Sequence, residues 1–122
     1  MTSQELQTRL KTFAYRLVPV CALFPNNKVS RIIEDQLLRS AFSAAANYRA
    51  ACKAQSAKAF KSKLSIAFEE IDEALFCLEA INDLILIQQE KIALLLKEAD
   101  ELTRILAATR IKLENKKRTT NA

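Results

Sequence analysis

The chain has 122 residues, of which 50% are apolar, and this is enough for the core of one domain and argues against global disorder. Lys and Arg outnumber Asp and Glu by 19 to 14, which gives a formal charge of +5. The absence of Gly excludes glycine-rich phosphate loops, and the absence of His excludes His-based triads and most His-containing metal sites. We therefore expect no catalytic residues, no metal site and no cofactor.

Apolar residues recur at steps of three and four along four separate stretches, which is the period of amphipathic helices. The predicted helices cover residues 3–23, 28–54, 57–83 and 88–115. Short connections make neighbouring helices antiparallel. The sequence therefore predicts an all-α, up-and-down four-helix bundle over residues 1–115, followed by a basic flexible tail over residues 116–122.

Residues that begin and end helices agree with these bounds. Thr2 and Glu5 predict a capping box at the start of the first helix, and Pro19 should kink that helix or loosen its last turn. Ser56 is suited to cap the third helix. The third boundary has the weakest signal, because residues 84–89 contain no strong helix breaker.

A polar stripe lies beside the apolar seam of the second predicted helix, and two carboxylates border the seam of the third. The candidate interhelical network consists of Gln36, Ser40, Ser43, Asn47, Glu70 and Glu73. Polar groups beside an apolar seam usually bond to a neighbouring helix or face water. A structural network is one interpretation, and a ligand site is the other.

Apolar side chains also fall on the outer faces of the second and third helices. They are Ile32, Phe42 and Ala46 on the second helix and Phe76 and Ala80 on the third. Together they would form an apolar patch, which predicts an interface between copies of the chain. Scattered exposure of single apolar residues is the alternative.

Charge is segregated along the chain. Residues 1–63 carry 11 basic and 3 acidic side chains, residues 64–101 carry 2 and 10, and residues 102–122 carry 6 and 1. The predicted bundle gathers basic side chains at one end, which suits nucleic-acid phosphate, although a solvated basic face is the alternative. The candidate contacts are Arg49, Lys53, Lys58, Lys61, Lys63, Lys116, Lys117 and Arg118.

The three cysteines, Cys21, Cys52 and Cys77, match no metal-knuckle spacing and predict free thiols in a reducing compartment. The sequence shows neither a signal-peptide pattern nor a stretch that could span a membrane. We therefore expect a cytoplasmic protein with no membrane partner.

Three separated motifs occur in a recognisable order along most of the chain. They are QLLRSAFSAAANYRAACKAQS at residues 36–56, EEIDEALFCLEA at residues 69–80 and KEADEL at residues 97–102. In this order they resemble the 23S rRNA intervening-sequence proteins of bacteria. The resemblance implies a left-handed bundle that assembles into a homopentamer. A more distant resemblance, to the accessory variability protein of diversity-generating retroelements, implies nucleic acid and a reverse transcriptase as partners.

Two functions are consistent with these patterns. The first is a non-enzymatic oligomer that binds RNA or DNA through phosphate contacts, with little sequence selectivity because no aromatic RNA-recognition stretch is present. The second is a protein-interaction scaffold that recruits an enzyme such as a reverse transcriptase without binding RNA. An enzyme with a carboxylate metal site is disfavoured, because the Glu-x-x-His motifs of such bundles require His.

Overall fold

The computed structural model describes the backbone of residues 1–121 and the side chains of residues 1–116. The described chain contains four α-helices: α1 (Ser3–Val20), α2 (Lys28–Cys52), α3 (Ala57–Asp83) and α4 (Gln89–Asn121). Each helix packs against the next one along the chain, and α4 also packs against α1. The prediction of an all-α, up-and-down four-helix bundle is therefore confirmed.

Side-chain caps explain where three of the helices begin. Thr2 Oγ1 accepts a hydrogen bond from the Glu5 amide at 3.1 Å, and Asn27 Oδ1 accepts one from the Ser30 amide at 3.0 Å. Ser56 Oγ accepts the amide of Ala59 at 3.0 Å. Each cap satisfies an amide that has no partner within its own helix, so the sequence marks these starts directly.

Helix α1 ends early at its proline. Pro19 lies in the last turn, and the chain then tightens into a 3₁₀ turn over Cys21–Leu23. Proline cannot donate the hydrogen bond that would continue the α-helix, and 3₁₀ turns are frequent at such ends. The structure therefore agrees with the prediction that Pro19 loosens the last turn of α1.

The connection between α3 and α4 is a Schellman turn without glycine. The Leu86 amide donates to the Ile81 carbonyl at 3.0 Å, and the Ile85 amide donates to the Asn82 carbonyl at 3.3 Å. Ile85 occupies the left-handed region with φ of 51°. Glycine normally takes this position, and a β-branched residue there is strained. The turn thus lacks the residue that would have revealed it in the sequence.

Helices α2 and α4 also end at positions different from those predicted. Helix α2 ends at Cys52 rather than residue 54, and the Lys53 amide donates to the Ala50 carbonyl at 3.1 Å. Helix α4 continues to Asn121, beyond the predicted end at residue 115. The backbone of the basic segment that we expected to be a tail is therefore helical as far as Asn121.

The core is formed by the predicted apolar seams. Large aliphatic side chains from α1, α3 and α4 meet the small inner face of α2, where Ala41 and Ala44 are fully buried. Ser30 is also fully buried, and its hydroxyl has no hydrogen-bond partner among the described residues. None of the four helices, over the residues described, has the length and apolar character needed to cross a membrane.

Candidate nucleic-acid interface

The start of α1, the α2–α3 connection and the C-terminal half of α4 lie at one end of the bundle, which we call the basic end. Four exposed cations stand there on α2, the connection and α3: Arg49, Lys53, Lys58 and Lys63. Within residues 1–116, none of the four forms an ion pair. Their charges are therefore available to an anion from solution.

Other predicted phosphate contacts differ from these four. Lys61 forms an ion pair with Glu114 of α4, so its charge is already partly neutralised. Lys116 is exposed at the same end. The side chains of Lys117 and Arg118 lie outside the described part of the chain, so their predicted contacts stay predictions.

A groove between α1 and α2 leads away from the basic end, and we call it the α1/α2 groove. It has a volume of about 470 Å³, and its lining includes Arg49 and Lys53 together with Lys11. The rings of Tyr15 and Phe42 lie side by side in it, with centroids 6.0 Å apart and planes inclined by 37°. Lys11 Nζ lies 5.7 Å from the centre of the Tyr15 ring.

The predicted oligomer patch divides between two surfaces. Phe42 and Ala46 line the α1/α2 groove, whereas Phe76 stands on the outside of α3 with 70% of its surface exposed. Ile32 is also exposed, and Ala80 is partly buried. Arg39 of α2 pairs with Glu70 and Glu73 of α3, which runs antiparallel to α2. Ile32 lies two turns before Arg39, so it is level with the Phe76–Ala80 segment of α3.

The predicted polar network is organised around Arg39. Its guanidinium donates to Gln36 Oε1 at 3.1 Å and Glu70 Oε2 at 3.0 Å, and it also contacts Glu73. The hydrogen bond to Glu73 raises the pKa of Arg39 further above its usual value. The cluster ties α2 to α3, as a structural network would.

The remaining members of that network bond within α2. Asn47 Nδ2 donates to the Ser43 carbonyl at 2.9 Å and to Ser43 Oγ at 3.1 Å. The buried Ser40 hydroxyl donates to the Leu37 carbonyl at 3.2 Å. The hydroxyl and amide groups of these side chains are therefore satisfied within α2, and only the bonds from Arg39 to Glu70 and Glu73 join α2 to α3.

A second interhelical cluster joins α1 to α4. Arg9 donates to both carboxylate oxygens of Glu98, at 2.6 and 3.1 Å, and approaches Glu101 at 3.2 Å. The hydrogen bond to Glu98 raises the pKa of Arg9. Arg9 therefore attaches α1 to α4 on the face of the bundle next to the α1/α2 groove.

All three cysteines are free thiols. Partial burial raises the pKa of Cys21 to about 11, with Glu34 adding to the effect. Burial also raises the pKa of Cys77, and the nearby Glu73 acts in the same direction. A protonated thiol is a poor nucleophile, and Cys77 packs within the hydrophobic core of the bundle.

Comparison with known families agrees with the motifs on α2, α3 and α4. The sequence model of the 23S rRNA-intervening sequence protein family matches residues 4–108. The chain belongs to this family. It is also similar to a solved crystal structure from Bacteroides thetaiotaomicron VPI-5482, that of a protein with unknown function from the S23 ribosomal protein family. The two chains are 28% identical, with a TM-score of 0.79, over 90% of this chain and 98% of the other. The comparison with curated proteins gave no match.

In this 23S rRNA-intervening sequence protein, the family match includes both the α1/α2 groove and most of the basic end. It stops at residue 108, before Glu114 and Lys116. Sequence reasoning missed Lys11 and Tyr15 as groove residues, and it did not include Arg39 among the members of the network. A signal was present, since Tyr15 lies outside the apolar seam of α1 and no core position accounts for it.

Proposed function

We propose that this family member is a non-enzymatic oligomeric protein that binds RNA through phosphate contacts at its basic end. One observation carries the proposal: Arg49, Lys53, Lys58 and Lys63 are exposed together and free of ion pairs with the described residues. Cations grouped at one end make a positive potential that attracts a polyanion. Binding of this kind follows the backbone rather than the base sequence.

The position of the lysines on α3 adds to this potential. Lys58 and Lys63 lie in the first two turns, where the helix dipole is positive and disfavours a nearby cation. The start of α3 contains no acidic residue to offset them. An RNA phosphate would relieve this repulsion, and binding would release counterions from the RNA.

An oligomer would repeat the basic end and multiply its phosphate contacts. Phe76, with 70% of its surface exposed, and Ile32 at the same level of α2 supply apolar surface for contact between copies. We propose a closed homo-oligomer, with the pentamer implied by the family resemblance as the expected size. A ring of this kind would present several basic ends to one RNA strand.

The chain offers a matched test of the RNA proposal. Lys58→Gln/Lys63→Gln should weaken binding to a labelled single-stranded RNA and flatten the dependence of log affinity on log salt by about 1.4 units or more per protomer. Lys61→Gln is the control: it removes a lysine already paired with Glu114, so its effect per lysine should be smaller. The proposal fails if the double variant binds as tightly as the parent at low salt.

Oligomerisation is tested separately by light scattering. Phe76→Glu should dissociate the assembly, because it places a charge where an aromatic side chain would be buried between copies. A parent mass near 13.7 kDa at micromolar concentration would contradict the oligomer.

The exposure of Phe76 also favours a second function, that of a scaffold whose apolar surface recruits another protein, such as a reverse transcriptase. This function gains support if the parent binds no RNA and Phe76→Glu abolishes capture of a purified reverse transcriptase.

A further inference from the structure

We infer that the α1/α2 groove is a stacking platform for the unpaired bases of a single-stranded nucleic acid. The inference rests on the proposed RNA binding, and it adds what the basic end alone does not specify, namely the strandedness of the nucleic acid. Three features of the groove support it: the two rings, the charge of the lining and the position beside the basic end.

The two aromatic rings in the groove are accessible to a base. Tyr15 has 54% of its surface exposed and Phe42 has 41%, although each would gain from burial in a core or against a partner. Their centroids lie 6.0 Å apart in a groove of about 470 Å³. Aromatic side chains that stand in a cationic groove are the usual platform on which unpaired bases stack.

The lining of the groove suits a polyanion. It contains the cations Lys11, Arg49 and Lys53, with the amides of Gln4 and Gln7, and no carboxylate is among its lining residues. The cations would follow the phosphates, while the amides can donate to and accept from base edges. A purely apolar peptide would leave these three charges without partners.

The groove is continuous with the basic end. Arg49 and Lys53 lie in the last turn and at the cap of α2, so they border both the groove and the α2–α3 connection. A strand held by its phosphates near Lys58 could therefore pass along α2 and place its next bases against Phe42 and Tyr15. Duplex RNA would not gain from this arrangement, because its base faces are already stacked on one another.

The decisive experiment removes the rings and keeps the charges. Tyr15→Leu/Phe42→Leu, in the full chain, should lower the affinity for a short oligouridine by about tenfold or more. The same variant should bind an abasic oligomer of equal length, and a duplex RNA, as tightly as the parent does. Tyr15→Phe is the matched control, since it keeps the ring and should keep the affinity.

Tyrosine emission gives a second readout, which does not depend on the folding of the double leucine variant. The chain has two tyrosines and no tryptophan, and Tyr48 is buried, so Tyr15 is the tyrosine that a bound base can reach. Oligouridine should quench the emission of the parent more than that of Tyr15→Phe, which also corrects for absorption by the bases. The abasic oligomer should quench neither protein.

The outcomes separate the inference from the proposed function. If the parent binds no nucleic acid, the proposed function fails and the inference fails with it. If the parent binds oligouridine and Tyr15→Leu/Phe42→Leu binds it equally well, with no excess quenching in the parent, the basic end is retained and the stacking platform is overturned. A lower oligomer mass for that variant together with unchanged oligouridine affinity would also overturn the inference, because the groove would then be a contact between copies.

Discussion

Two lateral grooves of the bundle have nearly the same size but opposite chemistry. The α1/α2 groove has a volume of about 470 Å³ and is lined by cations, amides and two aromatic rings. The groove between α3 and α4 has a volume of about 500 Å³, and its lining includes Glu79, Glu90 and Asp100. Packing of antiparallel helices produces both clefts, and only the outward-facing residues decide which of them can accept a polyanion.

This contrast gives two faces of the bundle opposite charge. We call the parts of α3 and α4 within residues 64–101 the acidic half, because they carry 10 acidic and 2 basic side chains. An RNA strand would meet attraction along α1 and α2 and repulsion along the acidic half.

Arg49→Gln/Lys53→Gln should weaken binding of single-stranded RNA by about 25-fold at about 0.1 M salt, because two phosphate contacts are lost. Lys91→Gln/Lys97→Gln is matched in charge and removes two exposed lysines of the acidic half, so it should leave affinity unchanged or raise it slightly. Fluorescence anisotropy over a range of salt measures both. Equal losses in the two variants would mean that net charge, and not the groove, governs binding.

Arg9→Met should lower the free energy of unfolding by about 1–2 kcal/mol, because it removes the charge-assisted bonds that join α1 to Glu98 of α4. Loss of this attachment would loosen α1, which forms one wall of the α1/α2 groove. Urea denaturation measures the change. The control is Arg104→Met, which removes an exposed pair within α4 and should have little effect. Equal stability of the two variants would contradict a role for Arg9 in holding α1.

Ile85→Gly should raise the free energy of unfolding by about 1 kcal/mol, because glycine accepts the left-handed conformation that isoleucine occupies with strain. The substitution lies in the connection between α3 and α4, the two helices that form the acidic one of the two grooves. Leu84→Gly is the opposite case: Leu84 has φ of −86°, so glycine there should only add freedom to the unfolded chain and reduce stability. A destabilised Ile85→Gly variant would refute the strain.

Ser30→Ala should raise the free energy of unfolding by about 0.5–1 kcal/mol, since it removes a buried hydroxyl that has no partner among the described residues. Ser30 belongs to the helix pair that forms the α1/α2 groove, whereas Ile85 belongs to the helix pair that forms the groove between α3 and α4. Ser40→Ala should not stabilise the protein, because the buried Ser40 hydroxyl bonds to the Leu37 carbonyl. Thermal melting distinguishes the two, and a loss of stability in Ser30→Ala would point to a bound water.

Much of the fold could be predicted because its signals are local. The apolar period defines the helices, and Asn27 and Ser56 mark the starts of α2 and α3 by capping chemistry that a sequence displays directly. The end of α3 is different: Ile85 takes the position usually held by glycine, and nothing in its side chain reveals this. Helix α4 likewise continues past residue 115, because its end has no breaker.

The candidate site was only partly predictable, because a helical wheel shows which residues point outward but not which neighbour they meet. The sequence places Phe42 outside the core, where the structure has it, but its contact with Tyr15 depends on how α1 is aligned along α2. The sequence groups Lys61 with Lys58 and Lys63, and only packing places it against Glu114. The pairing of Arg39 with Glu70 and Glu73 is hidden from the sequence for the same reason, since these two carboxylates lie on another helix.

The separation of charge between the two halves of the bundle also has a kinetic consequence. A molecule with basic α1 and α2 and with the acidic half on α3 and α4 has a dipole moment, which turns it in the field of a polyanion before contact. Encounters would then begin with the basic side leading, so salt should slow association more than it speeds dissociation. Stopped-flow mixing over a range of ionic strength would show whether the protein arrives at RNA already oriented.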